Sequence, residues 1–92
     1  MNVFIAFDVS KDLQVVLNDL KNKGYNNMWS DGNTNKVYEL PHNCLWKPNI
    51  ELSAGKTDIE QTINSLNSLG NDIHLTKLVV LSASPWIALE RN

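Results

Sequence analysis

The most chemically suggestive feature of this chain is a lone carboxylate ending an apolar run: Val3-Phe4-Ile5-Ala6-Phe7 followed by Asp8, with Ser10 and Lys11 close behind. A carboxylate at the C-terminal end of a central strand can be presented to solvent or to a metal. Magnesium commonly takes one or two carboxylates with waters and phosphate oxygens, so two Asp8 side chains meeting across a dimer axis would suffice where one alone would be weak. The plainer reading has Asp8 interacting with the positive end of the following helix, worth roughly 0.3 to 1 kcal/mol.

The other reactive side chains form no recognisable motif. His42 and His74 are the only imidazoles, and neither has a second metal ligand at helical or hairpin spacing, so no zinc motif is present. His42 and Cys44 stand two apart, which in a strand leaves about 6 to 7 Å between them, too far for a thiolate pair. Ser82 and Ser84 lack the glycines of a nucleophile elbow. Gly55-Lys56-Thr57 resembles the end of a phosphate-binding loop, but Ile50 stands where its first glycine belongs, so no nucleotide cofactor is expected. Lys56, like Lys11, stands at the start of a predicted helix and can still meet an anion. Trp29, Trp46, Trp86, Tyr25 and Tyr38 offer either base-stacking surfaces or ordinary packing.

These residues are positioned by a regular order of elements. After the first strand, Ser10 reads as an N-cap, and Leu13, Val16, Leu17 and Leu20 recur at helical spacing until Gly24, predicting a helix over 11–23. Asp31-Gly32-Asn33 is a hairpin signal between one strand containing Met28 and Trp29 and another over 37–40. Cys44-Leu45-Trp46 follows Pro41 as a short edge or kinked strand. Residues 49–56 read as a loop, and Thr57-Asp58-Ile59-Glu60 as a capping box opening a second helix. Ile59, Ile63 and Leu66 mark its buried stripe, and Gly70 its stop. The run 75–82 is too apolar at Leu78-Val79-Val80-Leu81 for a sheet edge, and Ser84-Pro85 separates it from a tail over 86–89.

Strand, helix, two strands, helix, strand, under the right-handed crossover rule, places both helices on one face of an antiparallel sheet. The expected fold is therefore α+β: a ferredoxin-like βαββαβ plait with a four-stranded antiparallel sheet, two helices on one face and a short C-terminal extra strand, as a single domain over 1–92. The other face would leave Phe4, Ala6, Val79 and Leu81, or their alternates, in water, which predicts self-association; Trp46, Trp86, Ile87 and Leu89 are the expected interface residues.

Composition narrows the function classes. Eight basic against ten acidic residues give a formal charge of −2 and provide no global field for nucleic acid, so polyanion binding would be local. The single cysteine excludes an intrachain disulfide and fits a reduced, cytoplasmic setting. The apolar start is too short for a membrane span, so no membrane partner is expected.

The assembled pattern resembles the second CRISPR-associated protein, the small dimeric adaptation protein, and its stand-alone relatives among the SinR-like and VapD families. The resemblance is carried by Val3-Phe4-Ile5-Ala6-Phe7-Asp8-Val9-Ser10 with the helix after it, and by Leu40-Pro41-His42-Asn43-Cys44-Leu45-Trp46. It implies a ferredoxin-like homodimer with C-terminal strands bridging the partner sheets. It further implies, in nuclease-active members, a metal-binding catalytic aspartate at the position of Asp8. The sequence departs from such members in its acidic balance, its scattered lysines and its lack of an arginine cluster. The expectation is a homodimeric binding or assembly module, related to nucleic acid or to a toxin-antitoxin system, with Ser10, Lys11 and Lys56 as candidate anion contacts. The alternatives are a magnesium-dependent endonuclease using Asp8 from both chains, and a protein-binding scaffold.

Overall fold

The computed structural model describes residues 1–30 and 36–82. The hairpin tip at Asp31-Gly32-Asn33 and the tail with Trp86, Ile87 and Leu89 lie outside the described residues. The elements are β1 (Val3–Val9), α1 (Leu13–Asn22), β2 (Met28–Ser30), β3 (Val37–Glu39), β4 (Cys44–Lys47), α2 (Leu52–Ser68) and β5 (Leu75–Ser82).

The result is an α+β fold with two helices and antiparallel sheets, compatible with a ferredoxin-like plait. β1 is central, paired antiparallel to β4 on one side and β5 on the other. Its alternation sets the core. Val3, Ile5 and Phe7 are buried and cluster with Val16, Leu17 and Leu20 of α1 and with Ile59, Ile63 and Leu66 of α2, so both helices cover the same sheet face.

Among the described residues the expected four-stranded sheet is not formed as such. Three strands, among the described residues, make the main sheet, in the order β4-β1-β5, and β2 with β3 form a separate two-stranded ribbon. Where a fourth strand would run beside β4, a single antiparallel bridge joins Asn26 to Trp46. There Asn26 N–H donates to the Trp46 carbonyl at 2.8 Å and Trp46 N–H to the Asn26 carbonyl at 3.0 Å. Beyond that bridge the chain leaves the sheet, and the ladder passes to β3 through Leu40 N–H on the Asn27 carbonyl at 2.8 Å. The Trp46 indole fixes the departure by donating to the Met28 carbonyl at 2.7 Å.

The helix starts also differ from those predicted. Ser10 does not cap α1; Asp12 stands at that position in a left-handed conformation, φ 58°, without a side-chain capping bond. The Ser10 hydroxyl instead accepts from His74 N–H at 2.9 Å, while Ser10 N–H donates to the His74 carbonyl at 2.9 Å. That two-way clasp binds the end of β1 to the approach to β5, and the hydroxyl is committed there. α2 begins at Leu52, so most of the predicted loop over 49–56 is helical and the capping box at Thr57 lies inside the helix.

Gly55 looks like a loop residue but serves packing. A Cβ there would stand 3.0 Å from Val3 Cγ1 and 3.0 Å from Val80 Cγ1, so the glycine lets α2 close on β1 and β5. The helix stops, by contrast, are as read from sequence. At Gly24, φ 98°, Gly24 N–H donates to the Lys21 carbonyl and Tyr25 N–H to the Leu20 carbonyl, the paired bonds of a left-handed stop. The same pair recurs at Gly70, φ 100°, through Asn67 and Leu66.

β5 occupies the edge that its apolar sequence argued against. Among the described residues it pairs only with β1, and Val79 and Leu81 are 52% and 51% exposed. The run of apolar residues had suggested cover on both sides; in fact Leu78 and Val80 are partly buried against the core while their neighbours face out.

Candidate functional site

Asp8 lies exposed at the end of β1, directly across from Lys77 of β5 and one residue before a register shift. The shift follows from Thr76, an extra residue between the partners of Asp8 and Val9, whose hydroxyl donates to the Asp8 carbonyl at 3.1 Å. The irregularity ends the ladder and turns the strand end outward. The Asp8 carboxylate accepts one long bond, from the Asn43 amide at 3.3 Å. Beyond the Ser10 clasp, His74 Nε2 lies 3.2 Å from the Asp72 carboxylate, both side chains largely exposed.

This strand end therefore holds the Asp8 carboxylate, engaged by one long bond from Asn43, a Ser10 hydroxyl that accepts from His74, and an exposed His74–Asp72 pair. Among the described residues no group of three or more His, Cys, Asp or Glu side chains could hold a metal ion. One chain thus offers magnesium a single carboxylate at Asp8; a tighter site needs a second copy's Asp8.

The predicted anion contacts are dispersed through the elements. Lys11 is exposed in the turn before α1. Lys56 is exposed, but it lies a full turn inside α2 and does not stand at its start, where the cap position belongs to Glu51. An acidic residue occupies the helix end that an anion would need. Trp46 is part-buried in β4, directly across from Phe4, and holds the ribbon as described. Cys44 is buried beside Asn43, and burial pushes its thiol pKa up, which opposes a nucleophilic role.

A polar network between the helices escaped the sequence reading. Thr62 is fully buried; its hydroxyl donates to the Asp19 carboxylate at 2.8 Å and accepts from Lys23 Nζ at 2.6 Å. Lys23 also donates to the Asp58 carbonyl at 3.3 Å and lies 3.5 Å from Asp19. Tyr25 donates its hydroxyl to the Asp58 carboxylate at 2.8 Å, and burial together with that carboxylate holds the phenol pKa well above its ordinary value. Lys47 closes the group, donating to the Lys23 carbonyl at 2.6 Å with its ammonium 5.5 Å from the Tyr25 ring centre. A threonine between a lysine and an aspartate suggests an activated nucleophile, but this hydroxyl is sealed from solvent and bonded on both sides. Its geometry is that of a brace joining α1, α2 and β4. The signal was present: Ile59, Thr62, Ile63 and Leu66 fall at i, i+3, i+4 and i+7, so Thr62 is a polar residue on the apolar stripe.

The ribbon carries a second feature. Trp29 and Tyr38 are cross-strand partners with ring centres 5.4 Å apart, and Lys36 Nζ lies 5.0 Å over the Tyr38 ring. Both rings are half-buried and outside the core cluster.

No family model, curated protein or solved structure matches the chain. None of the described helices is long and apolar enough to cross a membrane.

Proposed function

We propose that the chain is a homodimeric binding or assembly module that seats a second copy on the outer face of its sheet and engages nucleic acid or a toxin-antitoxin type partner. The observation carrying this reading is the register of β1 with β5. It sets Phe4 against Leu81 and Ala6 against Val79 on the face opposite the helices, where Val79 and Leu81 are half exposed. The reading takes the fold as a ferredoxin-like plait whose fourth strand is reduced to the Asn26 bridge. The resemblance to the second CRISPR-associated protein belongs to this proposal and supports it only through the strand ending in Asp8 and the order of elements.

Geometry bounds the strength of such a dimer. Strands of seven, four and eight residues, at about 3.3 Å rise and about 4.8 Å spacing, give a face of roughly 300 Å² in projection. Standard interfaces bury about 800 Å² per partner. The outer face alone thus predicts a concentration-dependent dimer. Sedimentation velocity over a dilution series tests this: wild type should shift from dimer to monomer, and Val79→Lys with Leu81→Lys should stay monomeric. A wild type that is monomeric throughout overturns the proposal.

A second reading, a magnesium-dependent endonuclease using Asp8 from both chains, is favoured by the exposure of Asp8 and by its weak engagement with Asn43. Magnesium there would polarise a phosphate and activate water. Labelled single-stranded RNA and duplex DNA incubated with magnesium or manganese should then be cut by wild type and spared by Asp8→Ala. Equal results for the two folded proteins reject it.

A further inference from the structure

One end of the outer sheet face is charged and self-complementary. Asp8 shares alternate positions of β1 with Ala6, and Lys77 shares those of β5 with Val79, so the register that sets Ala6 against Val79 also sets Asp8 against Lys77 on that face. Both charged side chains are exposed. The Asp8 carboxylate accepts one long bond, from Asn43 at 3.3 Å, and Lys77 enters none of the ion pairs among the described residues, which join Lys23 to Asp19 and His74 to Asp72. A carboxylate and an ammonium thus stand side by side without pairing to each other. The apolar part of the face is unevenly available. Cys44 of β4, on one side of Ala6, is 8% exposed, whereas Val79 of β5, on the other side, is 52% exposed. A second copy therefore meets the β1–β5 half of the sheet.

We propose that the second copy docks about a two-fold axis running along the strands, midway between β1 and β5, so that Lys77 of each copy pairs with the partner's Asp8. The proposal rests on the reading of the chain as a homodimer on this face and names the groups by which the copies recognise each other. Such an axis keeps the level along the strands and exchanges β1 with β5, which sets Val79 over the partner's Ala6 and Lys77 over the partner's Asp8. Facing sheets lie about 10 Å apart, a gap that the four-carbon stem of a lysine and a short carboxylate span together. Other placements of the axis leave charge uncompensated. An axis over β1, the arrangement a shared magnesium would need, stacks Asp8 on its own counterpart. An axis across the strands carries Asp8 and Lys77 to the opposite end of the other sheet. Without a bound cation, both leave charge at the contact without a countercharge. The midway axis gives two reciprocal pairs, whose main effect is to fix the register of the dimer.

The test is a charge exchange, read by sedimentation velocity over a dilution series and by native mass spectrometry of the mixed variants. Asp8→Lys sets like charges against the partner's Lys77, and Lys77→Asp sets like charges against the partner's Asp8, twice in each homodimer. Each variant alone should dimerise about 2- to 30-fold more weakly than wild type, the range for two exposed ion pairs. Mixed in equal amounts, the two variants should form a heterodimer of near wild-type affinity, because every like-charge contact becomes an opposite pair. Mixing repairs no clash inside one chain, so recovery assigns the contact to the interface. Asp8→Asn combined with Lys77→Gln in one chain keeps the shape, and should weaken the dimer and remove the salt dependence that wild type shows. A mixture no more dimeric than its parts, beside a dimeric wild type, overturns this pairing and leaves the dimer reading in place. So does a neutral double variant with unchanged affinity and salt dependence, a result that holds even where a charge-reversed variant fails to fold. A wild type that is monomeric throughout removes the dimer and this pairing with it.

Discussion

At the scale of single residues, the chain spends its buried polar groups on holding α1 and α2 together. Thr62 uses both capacities of its hydroxyl, on Asp19 and Lys23. Thr62→Val keeps the shape and removes both bonds, leaving a buried interface with two charged groups short of a partner. Equilibrium urea unfolding should register a loss of about 1 to 3 kcal/mol. Tyr25 gives a pH dependence with a definite sign. Its phenol pKa is raised above the unfolded value of 10.0 by burial and by Asp58, so folding favours the protonated form. That contribution is complete below about pH 10 and is lost as pH rises beyond it. Tyr25→Phe should destabilise at neutral pH by about 1 to 2 kcal/mol, and the gap to wild type should hold up to about pH 10 and narrow as pH rises above it. A gap that widens with pH would contradict the assigned environment.

At the scale of elements, residues whose role is local were legible and those whose role depends on a distant neighbour were not. The stops at Gly24 and Gly70 follow from the left-handed backbone they adopt, which a sequence announces directly. Gly55 needs its φ no more than any helical residue; its meaning comes from Val3 and Val80 across the core, so it read as loop. Ser10 read as a cap for the same reason, since His74 far along the chain claims its hydroxyl. Substitution separates the two kinds of glycine. Gly55→Val should cost about 1 to 3 kcal/mol by overpacking against β1 and β5. Gly70→Ala meets nothing within 4 Å and should cost only the left-handed penalty, about 1 to 2 kcal/mol, with Gly70→Asn costing less. Thermal unfolding of the three variants checks the order, and a Gly55→Val protein as stable as wild type would refute the close packing of α2.

For the whole molecule, the continuous apolar run of β1 left open which alternate set faces outward, and the register with β5 puts Phe4, Ala6, Val79 and Leu81 on the face opposite the helices. What the sequence concealed was how the sheet ends. An apolar β5 suggested an interior strand, yet it forms an edge among the described residues. The ribbon's departure after one bridge follows from the Trp46 indole bond to Met28, a tertiary contact without a local signature. The chemistry at Asp8 was legible as a position and no further, because one carboxylate gains meaning from what a second copy brings to it.

The central claim is that a second copy seats on the outer sheet face. The most direct measurement is isotope-filtered NMR on an equal mixture of labelled and unlabelled protein, prepared at a concentration where dimer forms. The account predicts intermolecular NOEs linking the Val79 and Leu81 methyls to residues of that same face in the other copy. A dimer whose intermolecular NOEs fall only elsewhere, or a protein with none at any concentration, would contradict it.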